Sequence, residues 1–95
     1  MKRLKSIFTT DMDYCFFTGT APVERHHVFS GVYRKKSEKY GFVVPLRPDL
    51  HPNGVYVGKH GKEVDTFLKQ ACQHWYEDNI GTREQFREEF GKSYL

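Results

Sequence analysis

The chain is poor in cysteine. Cys15 and Cys72 are its only two, and neither has a second cysteine at metal-binding spacing, which excludes a multiply bridged disulfide scaffold. Parity alone allows one bridge between them. No apolar run approaches the length of a membrane span. The basic first residues are not followed by the apolar core of a secretory signal. These absences predict a cytoplasmic chain with two free thiols and no membrane partner. Repeats and low-complexity stretches are also lacking, so residues 1–95 are read as one domain. A domain of that size is near the lower limit at which a hydrophobic core suffices alone.

Aromatic residues are plentiful instead. They make up 16% of the chain, so the core is expected to rest on Phe, Tyr and Trp, each of which buries a large area. The net charge is +3, and acidic residues gather in the last third. Residues 1–62 are therefore more basic than the whole-chain value conveys, which permits an anionic partner.

Residues 4–10 have strand composition, and Asp11 and Asp13 interrupt them as turn residues. Tyr14 to Phe17 is apolar again, Thr18-Gly19-Thr20 turns the chain, and residues 23–29 read as a strand. An antiparallel hairpin or a knuckle-like loop is expected near residues 14–29. Arg34 to Tyr40 reads as one or two helical turns, with Gly41 as C-cap. Residues 42–46 form a third apolar strand, whose Pro45 belongs at an edge or strand end. Residues 47–59 are loop by composition and contain His51.

Residues 61–79 carry Val64, Phe67, Leu68, Ala71, Trp75 and Tyr76 at helical spacing. Thr82 with Gln85 forms a capping-box pattern, Phe86 and Phe90 give one inner face, and Gly91 stops the helix. The expected fold is a small α+β domain. A short antiparallel hairpin and a third strand lie under two C-terminal helices, with Phe67, Leu68, Trp75, Phe86 and Phe90 mostly buried.

The chemistry concentrates in residues 24–41. His26 and His27 end the strand, and Arg34, Lys35, Lys36 and Lys39 follow. Imidazoles accept protons near neutral pH and ligate metals, while clustered cations suit phosphate. Together they suit cleavage of a nucleic-acid backbone. A polar surface hairpin beside a basic helix is the plainer alternative.

These residues resemble a known pattern. It runs Cys15-x-x-x-Gly19, then His26-His27 with Gly31, then Arg34-Lys35-x-Ser37-Glu38-x-Tyr40-Gly41, an apolar strand, and Leu46-x-x-x-x-His51. The arrangement is similar to HNH (His-Me finger, ββα-metal) endonuclease-like small proteins of bacteriophages, over roughly residues 12–80. The resemblance implies a DNA endonuclease in the host cell cytoplasm, with His27 as general base and His26 and His51 as ligands of one divalent cation, Mg²⁺ or Mn²⁺. Arg34, Lys35, Lys36 and Lys39 would bind nucleic acid. Family members carry a zinc knuckle. Here only Cys15 of it remains, and the matching positions are Thr18, Arg47 and Leu50, so no structural zinc is expected. The family's middle Asn, which orients the base, has no clear counterpart. A second expectation is a catalytically inactive relative that binds nucleic acid or a host protein, for example as an inhibitor of a defence nuclease.

Overall fold

Two short strands with a helix between them make the one sheet found among the described residues. The computed structural model describes residues 5–47 and 61–95. Strand β1 (Glu24–His27) pairs antiparallel with β2 (Val43–Leu46). Glu24 lies opposite Leu46, Arg25 opposite Pro45, His26 opposite Val44 and His27 opposite Val43. A 3₁₀ turn at Gly31–Tyr33 leads into α1 (Arg34–Tyr40) between the strands. Helices α2 (Gly61–Asn79) and α3 (Arg83–Phe90) complete a small α+β domain.

Local chemistry sets the helix ends. Gly41 takes a left-handed φ of 78° and turns its N–H back to the Glu38 and Ser37 carbonyls, which frees the chain to enter β2. A Cβ at Gly41 would meet Ile7 and the Lys5 carbonyl at 3.3 Å. At α3 the capping box forms as expected. The Thr82 hydroxyl accepts the Gln85 N–H at 3.1 Å, and Gln85 Oε1 accepts the Thr82 N–H at 2.8 Å.

The core is aromatic, as the composition predicts. Val28, Phe29, Phe42, Val44, Leu46, Leu68, Cys72, Tyr76, Phe86 and Phe90 are buried together. Phe29, just past β1, is the hub: its ring centroid lies 4.5 Å from Phe90, 5.7 Å from Phe86 and 5.8 Å from Phe42. The two C-terminal helices thus supply apolar side chains to the core that the strands close from the other side.

Three expectations are corrected. Residues 14–20 form no strand, so β1 has β2 as its partner and not the segment before it. The backbone of 15–20 closes on itself instead, with the Gly19 N–H bonded to the Cys15 carbonyl and the Cys15 N–H to the Thr20 carbonyl, both at 2.8 Å. Groups satisfied inside a loop have no need of a ladder. This is the knuckle-like alternative, docked on β2 by the Phe16 N–H and the Pro45 carbonyl at 2.9 Å. Residues 5–10 are likewise not a strand; there the Ile7 N–H bonds the Gly41 carbonyl at 2.9 Å.

Phe67 is 52% exposed, whereas its neighbour Leu68 is fully buried. Leu68, Cys72 and Tyr76 recur every four residues and form the true inner line of α2. Phe67 falls to the side of that line and meets Phe17 at 5.9 Å. Trp75 is partly buried, edge-on to Phe42 at 5.8 Å.

Candidate functional site

β1 ends at the histidine pair. Consecutive strand residues project to opposite faces, and His26 goes into the interior, with only 2% of its surface exposed. His27 faces the other way, toward α1. Its Nε2 lies 2.9 Å from Glu38 Oε1, with the imidazole side chain 10% exposed and the carboxylate 40%. The two histidines expected to share one cleft therefore leave the strand on opposite sides.

α1 is seated firmly enough to hold that pair. The buried Ser37 hydroxyl donates to the Phe29 carbonyl at 2.7 Å and accepts the Phe29 N–H at 3.1 Å. On the far side of the helix, Lys36 Nζ donates to the Glu89 carbonyl at 2.8 Å. The Tyr40 hydroxyl lies 2.8 and 2.9 Å from the two Glu89 carboxylate oxygens. Tyr76 of α2 donates to the same carboxylate at 2.5 Å.

One carboxylate thus ties α1, α2 and α3, and its neighbours report it. Burial and the Glu89 charge push the Tyr40 phenol up to about 12, and the same causes push Tyr76 up further. Burial acts to raise Glu89, but the hydrogen bonds from Tyr76 and Tyr40 and the charges of Lys36 and Lys39 outweigh it, holding the acid below its ordinary value.

The four expected phosphate-binding cations are consequently not equivalent. Arg34, Lys35 and Lys39 are exposed, and Lys39 Nζ sits 5.1 Å above the Tyr40 ring. Lys36 is half-buried and committed to Glu89. His51, expected to share an ion with His26, lies outside the described residues. Among the described residues, no group of three or more His, Cys, Asp and Glu side chains is placed to hold a metal ion.

Cys15 occupies the loop at 15–20. Burial pushes its thiol up, but the Thr18 hydroxyl and the N–H groups of Arg47, Thr18 and Phe17 outweigh this and hold it below the usual thiol range. Asp11 acts as turn chemistry predicts: its Oδ1 accepts the Asp13 N–H at 3.1 Å.

Glu38, Ser37 and Glu89 received no role from the sequence. Lys36 and Tyr40, four apart on α1, share one face, but nothing in the sequence pointed from that face to Glu89. Glu38 had only its place on the helix following His27. Among the described residues, no helix is long and apolar enough to cross a membrane. Comparison of the chain with protein-family models, with curated proteins and with solved structures finds no match.

Proposed function

We propose that the domain is an endonuclease-like protein that hydrolyses phosphodiester bonds in nucleic acid, with DNA as the first substrate to try. One observation above the others supports the reading. His27, at the end of β1, is held by Glu38, on the same short helix that presents Arg34 and Lys35 to solvent. The order of β1, β2 and α2 is also the strand–strand–helix order expected of a ββα site.

The chemistry is simple to write. Neutral His27 takes a proton from water as the water oxygen bonds to phosphorus, and the ester bond breaks with its electron pair on the leaving oxygen. Arg34 and Lys35 offset the charge of flanking phosphates. A divalent cation, Mg²⁺ or Mn²⁺, belongs to the proposal and would offset charge on the phosphate and leaving oxygen. His26, buried on the face of β1 opposite His27, does not fit as its ligand beside the His27 water. The described residues do not by themselves complete such a site, and the proton chemistry assigned to His27 does not run through it.

The test is a plasmid-nicking assay with Mg²⁺ or Mn²⁺ against EDTA, on the wild type and on His27→Ala. Nicking that needs the cation and His27 is the expected result. Nicking that His27→Ala leaves unchanged overturns the reading.

A second reading has its own support. The His27 side chain is 10% exposed, and its Nε2 is already bonded to Glu38, as in a tie that merely fastens helix to strand. In that case the domain is catalytically inactive and uses the exposed cations of α1 to bind nucleic acid, or an acidic face of a host protein. Salt-sensitive binding without nicking would select it.

A further inference from the structure

We infer that Glu38 is the positioning residue of His27, fixing the imidazole as the Nε2–H tautomer and leaving the Nδ1 lone pair as its proton acceptor. Its catalytic consequence rests on the nuclease reading above; the tautomer itself does not. An ionised carboxylate only accepts hydrogen bonds. Across 2.9 Å, His27 Nε2 must therefore carry the hydrogen given to Glu38 Oε1. A neutral imidazole has one N–H, so the acceptor lone pair then belongs to Nδ1.

The backbone on both sides of the pair is fixed by one buried group. Ser37 precedes Glu38, Phe29 lies two residues past His27, and the Ser37 hydroxyl binds both backbone polar groups of Phe29, at 2.7 and 3.1 Å. Helix and strand end thus hold one spacing, and the carboxylate needs only its own rotamer to reach the ring. A helix seated this way serves the pair better than a free loop would. It also places the positioning residue in register with Arg34 and Lys35, one turn earlier on α1. No cation partner for Glu38 is part of the inference: its role is to accept.

The experiment uses the full chain, ¹⁵N-labelled at histidine, with His27 identified by the signal missing in His27→Ala. Two-bond ¹⁵N–¹H correlations report which ring nitrogen carries the hydrogen. Wild type is expected to show His27 protonated at Nε2 and bare at Nδ1. Glu38→Ala is expected to relax this single tautomer toward the mixture of a free imidazole, in which Nδ1–H is also populated, and Glu38→Gln, whose amide oxygen still accepts, to restore it.

In the nicking assay Glu38→Ala should lower kcat about 10²-fold with KM little changed, and Glu38→Gln should recover part of the loss. A His27 protonated at Nδ1 in wild type overturns the inference. So does a Glu38→Ala protein with the tautomer and kcat of wild type. If Glu38→Ala fails to fold, the Nε2-bound proton of the wild type decides the matter: a downfield, exchange-protected signal is expected from the 2.9 Å contact, and a signal in free exchange with water overturns the inference. A wild type that nicks nothing in any cation overturns the nuclease reading alone, because the tautomer still answers for Glu38.

Discussion

Tyr76 of α2 gives its phenolic hydrogen to Glu89 of α3 at 2.5 Å, and this pair is the point to which α1 is fastened through Tyr40 and Lys36. A carboxylate that receives two phenols from two other helices is an integrating contact. Glu89→Gln leaves a single acceptor oxygen for two donors. We expect a loss of about 1.5–3 kcal/mol, read by urea unfolding.

The same cluster fixes the direction of two pH effects. Tyr40 is raised from 10.0 to about 12, so between those values the unfolded chain releases the proton first and stability falls as pH rises. Glu89 is lowered from 4.5, so its contribution is complete above that value and is lost as pH falls through the depressed folded one. Thermal melts across both limbs should show the two declines. Glu89→Gln should flatten the acid limb, and Tyr40→Phe should soften the alkaline one.

Phe67 and Leu68 are neighbours with different fates, 52% and 0% exposed. Leu68→Ala should cost about 2–5 kcal/mol. Phe67→Ala should cost well under half of that, because much of its ring already meets water. Equal losses in chemical denaturation would contradict the inner line drawn through Leu68, Cys72 and Tyr76.

Ser37→Ala removes a buried hydroxyl that satisfies the N–H and the carbonyl of Phe29. Stability should drop by about 2–3 kcal/mol, the cost of stranding buried backbone groups. Ser37→Thr keeps the hydroxyl but crowds a site with no exposed surface, and should recover only part of the loss.

The cations of α1 should separate by assay. For binding to a DNA duplex, the double variant Arg34→Ala/Lys35→Ala should reduce the slope of log affinity against log salt by about 2. Lys36→Ala should leave that slope nearly unchanged and lower the melting temperature, since its Nζ is spent on the Glu89 carbonyl. Equal slope changes for all three would restore the undivided basic stretch.

The helices were the most legible part of the chain. The periodicity of 61–79, the Thr82–Gln85 box and Gly41 are local signals, and local hydrogen bonds realise them. The strand segments were legible too, since β1 lies within 23–29 and β2 within 42–46. Their pairing was not. Residues 14–17 and 43–46 look alike as short apolar runs, and only the loop bonds of Cys15, Gly19 and Thr20 withdraw the first from the sheet. Within the site, the histidine pair and the basic helix were visible as residue types. The grip of Glu38 on His27 was not, because a contact between a strand end and a helix leaves no periodic trace. Cys72 was read as a thiol, yet it serves as a small apolar residue of the core.

Phe29 closes against Phe86, Phe90 and Tyr94, and that arrangement governs the order in which the protein can be assembled. The hub ring leaves the ribosome early, and its cover arrives only once α3 and Tyr94 have been made. Until then, β1, α1 and β2 present an apolar side that α2 alone can cover only in part, and a large loop must close before the contacts with α3 return any free energy. Completion of the core therefore waits on the synthesis of α3 and Tyr94. A nascent chain halted before α3 should remain open to protease attack and to chaperone binding.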